Sequence, residues 1–293
     1  AELLSSTDRD DLDSTQLAVV AGWRTRGTDT FELGARRNWL NDPNGVENGN
    51  QFHARYRWRI GAPTGDSGTV WPALLLRAYR FSDWSPLAGG ARVTWLRDLV
   101  RVDGEVGREV IETPLAISNR VTVNVAAASI DVRPTTRLGV AGALAGLRFD
   151  DGNDRLRLNA RADYALLLRP RWLIGLEGMG FDSSQPPGPA FPDRGYWNPD
   201  RYYELRAFTA LYHERGSWDL YARLALGYSS ERDGFGNTSS GTPNAWDLAL
   251  GYDVGAGIRL RMAVGGSGGS FGLGSGGAGY WRRYAMLSLF GWF

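Results

Sequence analysis

The 293-residue chain has no cysteine, no lysine and only two histidines, His53 and His213. Without thiols there is neither a disulfide framework nor a thiolate metal site. No His, Asp and Glu cluster has the spacing of a metal centre, and Asp8 to Asp13 lacks the turn glycine and closing Glu of a calcium loop. Long apolar runs are missing too. Mean hydropathy is −0.31, and Leu17 to Trp23 or Val140 to Leu147 fall well short of the ~18 residues a membrane helix needs. Net charge is only +1, so the whole molecule makes no electrostatic appeal to nucleic acid. Every basic residue is arginine, whose planar fork pairs bidentately with carboxylates in a narrow space.

What is present is period-two alternation with many aromatics. Along 52–60, Phe52, Ala54, Tyr56, Trp58 and Ile60 oppose His53, Arg55, Arg57 and Arg59. Along 155–164, Leu156, Leu158, Ala160, Ala162 and Tyr164 oppose Arg155, Arg157, Asn159, Arg161 and Asp163. Repeated round a closed sheet, this pattern puts lipid outside and a wet, charged lumen inside. The 12 Trp and 12 Tyr suit aromatic girdles at two interfaces. The expected fold is therefore all-β: a transmembrane antiparallel β-barrel, integral to a bacterial outer membrane, with residues 1–293 as one domain.

Working back from the C-terminus, strands are expected near 280–293, 257–265, 244–254, 217–229, 201–213, 171–182, 154–168, 136–149 and 119–132. Further strands fall near 104–112, 90–99, 70–81, 51–60, 29–38 and 16–26. Short turns at 134–136, 169–171, 215–217 and 255–257 alternate with longer connections, as periplasmic turns alternate with exterior loops. That parity requires one more ascending strand at Ala1 to Ser6, which makes about sixteen. A barrel starting at the first residue leads us to expect the C-terminal part of a longer chain. The Pro-rich stretch 183–200 reads as a lid, and no other long inward-folded loop is expected. The Gly-rich stretch 265–278 reads as a flexible loop; it lacks the helix and GK[ST] ending of a phosphate cradle.

By this pattern the candidate lumen residues are Arg24, Arg36, Arg55, Arg57 and Arg59 in the first half. In the second half they are Arg157, Arg161, Asp163, Arg206, Arg223 and Asp247. Two uses compete for them: a ladder of ion pairs across the lumen, or a hydrogen-bonding track for a polar solute such as a sugar. Trp39, Trp84, Trp197, Tyr202 and Trp281, near strand ends, are candidate rim or sugar-stacking aromatics. Enzyme chemistry is not expected. Parity places His53 near the outer rim and His213 near a periplasmic turn, too far apart to share a site. No cofactor is implied.

Two segments carry resemblances. The ending Tyr284 to Phe293 resembles the closing strand that outer-membrane barrels present to their assembly machinery, with Leu287, Leu289 and Phe293 on one face; Gly291 departs from that pattern. The string Gly195-Tyr-Trp-Asn-Pro-Asp-Arg-Tyr202 leads into a strand. It resembles the C-terminal porin domain of tetratricopeptide-containing exopolysaccharide exporters of the cellulose, Pel and poly-N-acetylglucosamine systems. The resemblance implies a barrel of about sixteen strands after a periplasmic helical-repeat region. It further implies lipopolysaccharide around the outer half and an inner-membrane synthase driving a linear polysaccharide, of cellulose or Pel type, outward. A small-solute diffusion porin and a surface or phage receptor barrel remain alternatives.

Overall fold

In the computed structural model, which describes residues 1–8, 11–24, 28–61, 68–255, 257–268 and 281–291, the alternation becomes a closed wall. For 267, 268 and 281 only the backbone is described. The first strands are β1 (Glu2–Asp8), β2 (Asp13–Arg24), β3 (Thr30–Asp42), β4 (Gly45–Arg57), β5 (Thr69–Arg80), β6 (Leu87–Arg97) and β7 (Val100–Val110). A short helix α1 (Pro114–Ser118) follows. Then come β8 (Thr122–Val132), β9 (Leu138–Phe149), β10 (Asp154–Leu168), β11 (Arg171–Ser183), β12 (Arg201–Arg215) and β13 (Trp218–Arg232). The chain finishes with β14 (Thr238–Gly241), β15 (Asn244–Gly255), β16 (Ile258–Gly268) and β17 (Trp281–Gly291).

Each strand pairs antiparallel with its sequence neighbour. The exception is β14, a four-residue excursion on the upper end of β13, which itself pairs on with β15. Sixteen strands thus form the wall, and β17 returns to β1 from Glu2↔Ser288 to Asp8↔Arg282. The Ala1 ammonium donates to the Leu289 carbonyl at 2.8 Å. Closure leaves no open edge, which is the condition for a sheet to cross lipid. Among the described residues no helix is long and apolar enough to do so.

The outer face carries the apolar half of the alternation. Leu74, Leu76, Leu156, Leu158, Leu176 and Leu205 are each more than half exposed, and Leu287 and Leu289 share that face. Trp23 stacked on Phe31, and Trp218 against Tyr252, belong to a girdle at the turn end. Tyr203 beside Tyr228 marks the other girdle. Leu176 sits at the centre of β11, so Leu176→Arg should cost ~2–4 kcal/mol, whereas Leu156→Arg, near the strand end, should cost ~0–1. Urea unfolding in lipid vesicles measures both, and equal costs would contradict the depth assignment.

All sixteen expected strands are found, with shifted boundaries. The largest shift is at β3 and β4, which continue past 38 and begin before 51 to meet in a tight hairpin. There Asp42 Oδ1 accepts from the Asn44 and Gly45 amides at 2.7 and 3.0 Å, the local turn that Asp favours. Apart from Val46, residues 45–50 are polar or glycine because this hairpin stands clear of lipid, so the alternation is silent there. Extending β4 also corrects His53, which lies mid-wall rather than at the outer rim. A second correction concerns the loops, since the 111–121 connection turns inward and carries α1. Phe293 and most of the Gly-rich loop lie outside the described residues.

Candidate functional site

The inward charges sort into two walls. On β10 to β15 they form a closed lateral network. Arg206, 4% exposed, pairs with its register partner Glu177 at 2.9 Å and with Glu204 at 3.1 Å. Arg223 also holds Glu177 and reaches its register partner Asp247 at 3.4 Å. Tyr284 Oη donates to Asp247 at 2.8 Å across Gly265, where a Cβ would lie 2.6 Å from both side chains. Arg161 pairs with Asp163 at 3.2 Å and lies over the Phe208 ring. The ion pairs of this group therefore run along the wall, within a strand or between strands one or two apart. They do not cross the lumen, which was one of the two uses the sequence pattern left open. Register explains this: partners one strand apart are ~5 Å apart, whereas the far wall is out of reach.

On β3 to β7 the polar groups are looser and face a cavity of about 1370 Å³. Glu32 and Arg55 stand 3.7 Å apart with side chains 36% and 41% exposed. Arg77 and Glu109 stand 3.8 Å apart. Glu105 is in register with Arg92, but that guanidinium is committed to Asp103 at 2.9 Å. His53 lies against Gly34, where a Cβ would come within 2.2 Å of the imidazole. Nine acidic residues and six arginines line this cavity among the described residues, not counting Arg108, whose side chain is on the outer face of β7. The carboxylates Asp8, Asp42, Asp193, Glu231 and Asp233 belong to its exterior end.

A two-armed latch narrows that end. Thr113 caps α1, accepting from the Ala116 amide at 3.2 Å, and Pro114 occupies the first helical position. Just before it, Glu112 accepts from Arg36 and from Asn38 on the lumen face of β3. Ile117 packs with Leu40, Tyr79, Phe81 and Val110. The second arm is 193–198. Tyr196 stacks on Phe149 with centroids 4.5 Å apart, and its hydroxyl donates to Asp151 at 2.8 Å. Burial, and then that hydrogen bond, push the Tyr196 pKa well above its ordinary value, so it stays a donor. Asn198 accepts from Asn153 at 3.0 Å and from Arg155 at 2.9 Å. The arms meet where Thr113 Oγ1 donates to the Gly195 carbonyl. Gly195 has φ +85, and a Cβ there would lie 2.5 Å from the Ala116 nitrogen.

The candidates read from the sequence divide accordingly. Arg36 and Arg55 line the cavity and Arg36 anchors the latch. Arg24 and Arg57 end their strands at the turn end, and Arg57 and Arg59 lie 4.4 and 5.9 Å from the Trp71 ring. Arg157, Arg161, Asp163, Arg206, Arg223 and Asp247 point inward within the closed wall. Trp197 lines the cavity and meets Tyr202 edge-on at 4.9 Å, while Tyr202 itself is 4% exposed. Trp84 stacks on Phe81 at the mouth. Trp39 stands on the outer face under Arg37, in the girdle position. For Trp281 only the backbone is described. Gln51, Arg77, Glu105, Glu109 and Glu112 were missed. Parity on β4, β5 and β7 could have found the first four, and Thr113-Pro114 was a legible helix start.

Among the described residues no group of three or more His, Cys, Asp or Glu could hold a metal ion. His53 and His213 lie on different strands, with His213 exposed near the β12–β13 turn.

No protein-family model matches the chain, and no curated protein matches it. Among solved structures it is similar to a bacterial polysaccharide outer membrane secretin at 12% identity, with a TM-score of 0.71 over 100% of this chain and 97% of that one. It is also similar to CdiB from Acinetobacter baumannii, at 11% identity and a TM-score of 0.55, covering 99% of this chain and 59% of CdiB. At such identities the likeness is one of fold. Together with the closed wall, the apolar belt and the girdles, it makes the chain an integral outer-membrane β-barrel of sixteen strands.

Proposed function

We propose that the barrel conducts a linear exopolysaccharide, of cellulose or Pel type, from the periplasm to the exterior. The observation that carries this reading is the whole-length overlay on a barrel named as a polysaccharide secretin. The lumen supports it chemically. Half-exposed carboxylates and guanidiniums on β3 to β7 offer hydroxyls many alternative hydrogen bonds, so a sliding chain is never held at one register. Tyr196 and Trp197, both half-buried, line the upper cavity beside them and present apolar ring surface to the C–H surface of a sugar. Carboxylates outnumber guanidiniums in the lining, which favours a neutral or weakly cationic polymer over a polyanion.

The latch is then the exit gate, displaced as the polymer advances. Drive comes from an inner-membrane synthase, with a periplasmic helical-repeat region preceding the barrel in the full protein. Single-channel recording in a planar bilayer tests the reading, with cello-oligosaccharides and galactosamine oligomers added from one side. Blockade by one of them that deepens with chain length is the expected result. Conductance that no sugar disturbs would retire the export reading in favour of a plain diffusion pore or a closed receptor barrel.

A further inference from the structure

On the lipid side of β8 to β11 the apolar belt is interrupted by a groove of about 650 Å³. Its floor is the register pair Ala126 and Gly146, flanked by Val106 and Leu156, which stand 57% and 60% exposed. One row nearer the exterior, Arg108, Asn124, Arg148 and Asp154 follow one another across β7, β8, β9 and β10. The Arg148 side chain is 81% exposed and 4.0 Å from Asp154. Arg108 is 3.4 Å from Asp150. Asp182, on the same rim, is held by Arg201 at 2.7 Å. Across this outer face, small residues sit below a polar row at headgroup height.

A groove on this face opens into the bilayer, so its occupant is a lipid. We propose that it binds a phosphorylated acyl lipid of the exterior leaflet, of the lipid A kind. One acyl chain lies along Ala126 and Gly146, and a phosphate sits on Arg148 and Arg108 with Asn124 donating beside them. Guanidiniums suit phosphate because they donate two parallel hydrogen bonds to it. The site stands on the membrane location alone and does not depend on what passes through the lumen. Asp150 beside Arg108, and Asp154 and Asp182 on the rim, oppose a phosphate here. Asp182 is held by Arg201, and Asp154 is the carboxylate beside Arg148, so its neutralisation strengthens the site.

Native mass spectrometry of the detergent-purified barrel tests the proposal, using bisphosphorylated lipid A, the same lipid dephosphorylated, and inorganic phosphate. The parent should retain one lipid A per barrel. Arg148→Ala, or removal of the phosphates, should lower retention about tenfold, and Asp154→Asn should raise it. Gly146→Leu fills the slot with Arg148 intact and should also lower retention. It has room to fold, since the nearest neighbour of a Cβ there is the Ala126 carbonyl at 4.0 Å. Equal retention by the parent, Arg148→Ala and Gly146→Leu overturns the proposal. So does inorganic phosphate displacing the lipid, which would make the arginine row a free-phosphate site.

Discussion

Gly195→Val should unlatch the exterior mouth and add a larger conductance level to single-channel records. The residue occupies φ +85 at the point where the two arms touch. A side chain there would stand 2.5 Å from the Ala116 nitrogen and 2.6 Å from the Leu115 Cβ. Left-handed strain alone is worth ~1–3 kcal/mol, roughly a 5- to 150-fold shift toward undocked arms. The overlap adds to it, because Ala116 is fully buried and cannot retreat. Glu112→Gln acts on the same latch from the other side by weakening its charge-assisted ties to Arg36 and Asn38. It should open the mouth less, since a glutamine oxygen still accepts one hydrogen bond. Rising pH should not mimic either change. With its folded pKa raised, Tyr196 keeps its stabilising proton until the solution passes the ordinary tyrosine range of about 10. If conductance is the same in Gly195→Val as in the parent, ions do not pass by the latch, and its role as exit gate fails.

The latch also shows what the sequence could and could not say. Inside-or-outside is a local property with a period of two, so Leu158 and Arg157 declare their faces without any knowledge of partners. Strand number followed from the same signal and from turn parity, including the seven-residue β1 that pairs with β17. Which inward charge is covered depends on register between strands, and that is not local. Arg55 and Arg206 look alike in sequence, yet one is loosely held beside the cavity and the other is sealed by Glu177 and Glu204. Helix α1, at five residues, is too short for periodicity to reveal. The 195–202 string was conspicuous as a string, but its meaning lies in contacts 45 residues away or more. Gly195 meets α1, Tyr196 stacks on Phe149, and Asn198 accepts from Asn153.

Arg206→Met should destabilise the barrel by ~3–5 kcal/mol, the cost of leaving buried carboxylates without their cation. Arg206 is in contact with Glu177 and Glu204, each under 10% exposed. Removing the guanidinium takes from Glu204 its paired cation and leaves Glu177 sharing Arg223 with Asp247. Methionine keeps most of the volume, so the loss reads charge and not a cavity. Arg148→Ala on the outer face is the matched control and should change stability by no more than ~0.5 kcal/mol. Urea unfolding in vesicles, followed by the heat-shift of the folded band on gels, measures both. The outcome bears on function as well as folding. A strongly destabilised Arg206→Met with conductance otherwise unchanged means that the β10 to β15 wall is scaffold and that solute runs along β3 to β7. A variant as stable as its parent would mean that water already reaches Glu177 and Glu204. The conduit would then be wider than the cavity beside β3 to β7, and Arg206, Arg223 and Asp247 would belong to its lining.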